Sequence, residues 1–526
     1  MSILWLAGLG LTAETVESDH WIVITPSGLR KAIEPLCEHR QQEGFEVSIV
    51  EAEEIYKSKD KTVDQSEAIR DYLRGIYTKT EGYVYVLLVG AVRPPDKADE
   101  DTFPFLPGQI GRMENKPCDL RYVVDTDLKS PKAILGRLPG RSSEEIERMV
   151  DKILRYEQSA PAGPWKYRLS VMASNPGGRT WIEKSLSGMF VQMMGQDSLS
   201  RINPYWCVDG FIHVVGSEFY VPDNQLPSRA KSLLEAGQVF SFYLGHSGPS
   251  CLGSDGIEFL NQEDWTNLNI SNRQGVFFTC GCYACSISKS GQSDGYALTA
   301  MRNPQGPVAV IGAYGESYAA IGQLAFGGML ECLSRAEPPQ RLGDYWLSVQ
   351  KGIAEGHMDP VMFNLFDTVD GSRGATTLDF QRLEHLEMWM LLGDPATRIP
   401  LSASDVEFTV SKLNNSDDTL QIKGTASTQY EGGIVQVTIE KTLRKPKELF
   451  VSGDENVSVS TAPWLGVAGY VNGAYILYKT EVAVEKGVFS GELKLPEIAS
   501  PAEIIVRVYV TNGHQDAMNI EILELH

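Results

Sequence analysis

Two residues in this chain have both the chemistry and the placement of a nucleophilic pair. His246 follows an apolar run, Val239–Leu244 (VFSFYL), within Tyr243-Leu244-Gly245-His246-Ser247-Gly248. Cys282 lies 36 residues later, just past a second run, Val276–Thr279 (VFFT). A thiolate can attack a carbonyl carbon, and a nearby imidazole can protonate the departing amine. If both runs are neighbouring parallel strands, their carboxyl ends lie one or two strand spacings apart, close enough for that chemistry. A helix beginning after the cysteine would lower its pKa, as would a protonated His246. The amides of Cys282 and Ser247 are candidates to hold the developing oxyanion.

Two plainer readings compete. A cysteine at a strand end is usually a small core residue. Cys280, Cys282 and Cys285 crowd into six residues, so with His246 they offer three sulfurs and one nitrogen to zinc. The C-x-C-x-x-C spacing is tight, however, and no second CxxC or histidine pair supports a zinc site. The other cysteines, at 37, 118, 207, 251 and 332, do not form the even framework of a disulfide scaffold.

The elements that would position the pair follow from hydrophobic patterning. Trp21–Thr25, helical spacing over 29–44, Phe45–Ile49, a helix over 65–77 and Tyr83–Val89 read as strand, helix, strand, helix, strand. Tyr83–Val89 is apolar throughout, as a central parallel strand buried on both faces must be. Ala133–Arg137 and a helix marked by Ile146, Met149, Val150, Ile153 and Leu154 continue the pattern, with Ser142 and Glu145 at capping-box spacing. Ser159–Pro164 is the expected internal boundary. Beyond it come a strand at Leu169–Ala173, helices at Ile182–Met194 and ending at Ala230–Ala236, then strands at Val239–Leu244, Val276–Thr279 and Val308–Ile311. Three apolar strands thus end in Gly-containing polar turns, where open α/β sheets bind ligands. From about residue 402, short alternating segments separated by Gly, Asn, Asp and Ser predict a β-sandwich. The predicted divisions are a 1–20 extension, α/β subdomains over 21–160 and 161–401, and a β module over 402–526.

At 526 residues the chain is long enough for two to four packed units, and its 42% hydrophobic and 22% charged residues are ordinary for globular proteins. The net charge of -21, from 68 acidic and 47 basic residues, argues against nucleic acid and anionic membrane surfaces as partners. No apolar stretch reaches the ~18 residues of a membrane span. Ile3–Leu11 followed by Thr12-Ala13-Glu14 could pass for a clipped signal peptide, but the first basic residue is Arg30, and a signal leader should be positive.

Several stretches, in order, resemble the gingipain-like cysteine peptidases, a family with a caspase-like fold. Trp21–Pro26 with Leu29–Val50 resembles its opening strand, helix and strand. Tyr83–Gly90 (YVYVLLVG) resembles its YVLLVGD strand, with Ala91 in place of the acid. Asp119–Tyr122, Asp125, Asp127 and Ile134–Arg141 (ILGRLPGR) resemble its D-x-x-Y…D-x-D…GR block, continued by Asp151–Glu157. Tyr243–Gly248 resembles its Y-x-GHG motif, Phe278–Cys282 the strand before its nucleophile, and Met390–Pro395 (MLLGDP) its closing GDP segment. The trailing β region resembles the immunoglobulin-like module that often follows.

The resemblance implies a cysteine endopeptidase with His246 as general acid/base and Cys282 as nucleophile, since the family's small-Cys-x-x-small pattern falls on Gly281–Cys285. Cys280 and Cys285 stay as competitors. It implies protein or peptide substrates, no cofactor for the chemistry, a structural calcium ion left open, and a secreted or envelope location, with the cytoplasm as the alternative. Three positions depart from it. Ser247 stands where the family has Gly. Pro176 stands where its best-known members have an acid that orients the histidine. The acid that holds a basic substrate side chain finds its nearest counterpart in Glu183, otherwise a surface-helix residue. Pro176 and Ser247 keep a non-catalytic scaffold or adhesin as an alternative, and a transpeptidase is another, because an amine can resolve an acyl-enzyme in place of water.

Overall fold

A strand with no polar alternation must be covered on both faces, and the centre of the sheet supplies that cover. The computed structural model describes residues 19–59, 64–80, 82–92, 105–109, 111, 117–174, 201–213, 220–254, 256–287, 294–370, 374–413, 419–441, 476–495 and 502–525. Its strands begin with β1 (His20–Thr25), β2 (Glu46–Glu51) and β3 (Val84–Val89). A short parallel pair, β4 (Ala91–Val92) and β5 (Phe105–Leu106), precedes β6 (Ile134–Leu138). Then come β7 (Arg168–Ser174), β8 (Cys207–His213), β9 (Phe240–Leu244), the hairpin β10 (Cys251–Ser254) and β11 (Ile257–Asn261), β12 (Val276–Thr279), β13 (Ala309–Ala313) and β14 (Trp389–Leu392).

Ten of these form one sheet in the order β2-β1-β3-β6-β14-β13-β12-β9-β7-β8. The first five are mutually parallel, and so are the last five. The two sets run in opposite directions and meet where β13 pairs antiparallel with β14. β3, at the interior of its set, is buried along its whole length, whereas the edge strand β2 is only half-buried. Each Val or Leu so buried is worth roughly 1.5–3 kcal/mol, so the apolar runs settle which strands lie inside.

The helices fall close to their predicted spans, at Arg30–Gln42, Gln65–Tyr77, Ser143–Gln158 and Leu226–Glu235. The predicted helix over 182–194 lies outside the described residues. Only half of the expected capping box at Ser142 forms. Its Oγ accepts from the Glu145 amide at 3.3 Å, but the Glu145 carboxylate reaches back to the amide of Arg141 at 2.8 Å. β8, the β10–β11 hairpin and β14 were not expected.

Charged residues bind the layers from within. Arg137 on β6 is fully buried, forms a two-pronged pair with Asp119 at 2.7 and 2.8 Å, and donates to the Gly90 carbonyl at 2.9 Å. The Asp119…Arg137 motif is therefore a clamp across the carboxyl ends of β3 and β6. Arg40 is likewise buried and pairs with Asp394 at 2.7 Å, with Glu157 at 2.8 Å and with Glu43. Burial by itself would raise the Glu157 carboxyl. Arg40, together with bonds from His39 and the Arg398 amide, outweighs it and holds the group down at about 2. A carboxyl depressed in the folded state contributes stability above its unfolded pKa, near 4.3, and loses it as pH falls through 2. Glu157 should thus account for about 3 kcal/mol of the acid instability between those values. The pH dependence of urea unfolding should flatten there in Glu157→Gln.

Residues 402 onward form two sheets. β15 (Val406–Lys412), β16 (Thr419–Ala426) and β19 (Val488–Lys494) make one, and β18 (Ile476–Ala483), β17 (Ile434–Lys441), β20 (Ala502–Thr511) and β21 (Asp516–Leu525) the other. Val406, Ile422, Leu493, Val437 and Val506 from both sheets share one core. Gly491, Asn519 and the charges along β19 and β21 dilute the alternation of these two strands. This module docks on the Pro/Gly-rich boundary segment. Asp516 accepts from the Gly163 amide at 2.7 Å and pairs with Lys166 at 3.0 Å. Arg507, buried against Tyr167 and paired with Glu440, donates to the carbonyls of Tyr205 and Pro204 at 2.7 and 2.8 Å.

Candidate active site

Because β13, β12 and β9 are adjacent and parallel, the three turns singled out in the sequence open on one edge of the sheet. The Cys282 turn lies in the middle. On one side is the His246 turn after β9, and on the other is the segment 314–318 after β13. Thr279 is in register with Tyr243, and the Cys280 amide donates to the Tyr243 carbonyl at 2.9 Å.

The His246 turn is held by its backbone. The His246 carbonyl accepts from the Tyr243 hydroxyl at 2.6 Å and from the Gly253 amide at 2.9 Å. Gly245 packs against Ser174 at the end of β7, where a Cβ would come within 1.9 Å of the serine Oγ. Ser247 bridges Leu252 antiparallel, with the ladder bonds made by its neighbours: Gly248 to Cys251 and Gly253 to His246. The Ser247 amide is therefore left out of the ladder, as an oxyanion donor must be.

The three cysteines have distinct surroundings. Cys285 is buried beneath the turn, and burial pushes its thiol well above the usual range. The Cys280 residue reaches the surface in part, but its thiol sits in protein, is likewise pushed up by burial, and faces the Gly322 carbonyl at 3.4 Å. The Cys282 sulfur lies against Ser317, accepting from its amide at 3.3 Å and, as a thiol, donating to its carbonyl at 3.7 Å; the amide contact is the one a thiolate keeps. Among the described residues the three sulfurs and His246 do not converge as metal ligands; the group that does, His39, Glu43 and Glu157, has the Arg40 guanidinium on both carboxylates.

No helix follows the cysteine directly, because residues 281–285 form tight turns tied to β13 and the segment after it. Tyr283 donates to the Gly315 carbonyl at 2.8 Å and Cys285 to the Ala313 carbonyl at 3.0 Å. Tyr283 takes a left-handed conformation, φ +58°, which for a bulky residue costs roughly 1–3 kcal/mol. The positive helix end comes from elsewhere: Ala319–Leu333 begins two residues after Ser317. Its first amides are anchored, Tyr318 to His385 Nε2 at 2.9 Å and Ala319 to Asp370 at 2.8 Å. His385 Nδ1 faces the Gln381 carbonyl at 2.8 Å and must donate there, so Nε2 accepts and the ring is neutral.

Sequence reading missed Ser317, His385 and Asp370. Backbone donors have no residue signature, and the latter two lie far along the chain. Pro176 and Glu183 fall outside the described residues. The acid next to Ser317 is the exposed Glu316, whose charge, after burial, helps raise the Tyr283 phenol.

The model of peptidase family C25 matches residues 15–400. No curated protein sequence matches the chain. Among solved structures, the Arg-specific cysteine proteinase gingipain R (RgpB) is similar over 98% of this chain and 99% of its own, at 17% identity and TM-score 0.52. A complex of Porphyromonas gingivalis RgpB pro- and mature domains is similar over 96% and 100%, at 17% identity and TM-score 0.53. The α/β fold with its large mixed sheet is thus gingipain-like. With a family match over most of its length, the chain belongs to peptidase family C25 and is a gingipain-like cysteine peptidase, a hydrolase.

Proposed function

We propose that the chain is a cysteine endopeptidase in which Cys282 attacks the scissile carbonyl and His246 gives its proton to the leaving amine. The amides of Cys282 and Ser247 hold the oxyanion, and water resolves the thioacyl-enzyme. The observation that carries this reading is the Ser317 amide on the Cys282 sulfur, in a turn flanked by the His246 turn on the neighbouring strand. The reaction needs no cofactor. The C-terminal sheets are read as an immunoglobulin-like module, and a site on a secreted or envelope protein suits the family.

Substrate preference is assigned to a carboxylate that meets the substrate side chain. Glu183 is the counterpart by resemblance, and Glu316 is the described acid beside Ser317. A carboxylate shielded by bound substrate pairs with guanidinium or ammonium and disfavours apolar side chains. A peptide-library cleavage profile should show Arg or Lys before the scissile bond. Whichever of Glu183→Gln and Glu316→Gln lowers that preference, by roughly tenfold or more for a charged pair, identifies the pocket acid. A profile indifferent to both takes Glu183 and Glu316 out of the pocket and leaves the substrate class open, and transfer of the acyl group to an added amine in place of hydrolysis would make the chain a transpeptidase.

A further inference from the structure

The residue that departs from the family's Gly-His-Gly pattern makes a contact glycine cannot. Ser247 Oγ donates to the carbonyl of Cys282 at 2.7 Å and lies 3.5 Å from the buried Tyr296 hydroxyl. Tyr296 in turn meets Thr279 Oγ1 at 2.9 Å, and the Gly281 amide donates to that same Oγ1 at 3.1 Å. The next peptide is therefore pinned at both ends. Its carbonyl is held from the histidine turn by Ser247, and its N–H, that of Tyr283, is held by Gly315 from the segment after β13. That peptide leads into the left-handed Tyr283. A strained residue persists only where its surroundings over-determine it, and these two bonds do so. Gly281 completes the fit, because a Cβ there would lie 2.1 Å from Ser247 Oγ and 2.9 Å from Ser247 Cβ.

We propose that the Ser247 hydroxyl is a positioning group that locks the Cys282 turn to the His246 turn, so that the sulfur stays on the Ser317 amide and the Cys282 amide faces the oxyanion. The proposal rests on the peptidase reading above, and it concerns the side chain alone, since every substitution at 247 other than proline keeps the backbone donor. Misplacement of reacting groups by about 1 Å can cost a hundredfold, so one lost tether at this point is expected to matter more than its own bond energy.

The test measures turnover per titrated active site in the full chain, together with the pH dependence of Cys282 alkylation by iodoacetamide. Alkylation is read by mass spectrometry on the Cys282 peptide, with Cys282→Ala as the blank. In Ser247→Ala, kcat should fall roughly ten- to a hundredfold with KM little changed. The alkylation midpoint should move to higher pH as the sulfur leaves its donor, and Ser247→Thr should restore both. Gly281→Ala should lower thermal stability. Adding Ser247→Gly should recover that stability, because the space is freed, but not the turnover, because the hydroxyl is gone. Turnover per site within twofold of the parent in Ser247→Ala, with an unmoved alkylation midpoint, would overturn the proposal. If the parent cleaves no peptide, alkylation alone decides. An unmoved midpoint then rejects the tether, whereas a shifted one keeps the tether and rejects the peptidase reading.

Discussion

Replacing Cys282 with alanine should reduce peptide cleavage by at least about a thousandfold, since its sulfur is the one assigned to form the thioacyl bond. Cys280 and Cys285 are the chemical alternatives. Burial raises both thiols, whereas the Cys282 sulfur accepts from the Ser317 amide. Cys280→Ser and Cys285→Ser should therefore retain turnover per folded molecule. Loss of stability from placing a hydroxyl in an apolar pocket is a separate effect, read from the fraction folded. His246→Ala should cost roughly a hundred- to ten-thousandfold, the range for a general acid/base, and should leave KM closer to the parent than kcat. Labelling with a thiol-directed peptide electrophile checks the assignment independently of turnover. One adduct, on Cys282, is expected. An equally strong adduct in Cys282→Ala would transfer the nucleophile to a neighbour, and no adduct at all would leave a scaffold that kept the fold.

The parts of this site that could be read from sequence are those that depend on side-chain type and strand ends. His246 and Cys282 stood out because each follows an apolar run, and the sheet places those runs side by side as β9 and β12. Strand order was not readable. β14, over 70 residues after β13 in the chain, inserts between β13 and β6 and joins two oppositely running parallel sets, and no local pattern encodes that pairing. The tight turn behind Cys282 was not readable either, because it is dictated by distant carbonyls, those of Ala313 and Gly315. Ser247 looked like a loss of backbone freedom. Its contribution, a hydroxyl bond to a carbonyl in the turn after the adjacent strand, exists only once the two turns meet. Buried charges were equally hidden. Arg40 sits in a helix that reads as amphipathic, and Arg137 in an otherwise apolar strand, with partners 354 and 18 residues away.

Arg40 carries the largest stability effect expected in the α/β unit. Its guanidinium donates to Asp394 through Nε and Nη2 at 3.0 and 2.7 Å and to Glu157 through Nη1 and Nη2, both at 2.8 Å. Asp394 also accepts from the indole of Trp21 at 3.0 Å and from the Ala396 amide at 3.0 Å. The closing GDP segment is thereby fastened to β1 and to the helices Arg30–Gln42 and Ser143–Gln158, and through the bond from the Gly393 amide to Arg137 it fixes the end of β14. Removing one partner from a buried ion group costs about 3–5 kcal/mol, because the others are left charged without compensation. In Arg40→Met the packing volume is nearly kept, yet three carboxylates, Asp394, Glu157 and Glu43, lose their common cation. The expected loss is at the upper end of that range. Asp394→Asn retains the shape and an acceptor for Trp21, so it should cost less than Arg40→Met. Because the β module can unfold in a separate step, the measurement should be local: hydrogen exchange of the β1 amides, residues 20–25. Protection there should drop by roughly a hundredfold or more in Arg40→Met, with a smaller drop in Asp394→Asn and none confined to residues 402–525. Exchange unchanged in Arg40→Met would mean that the apolar packing of β1, buried from Trp21 to Thr25, holds the segment without the ion group.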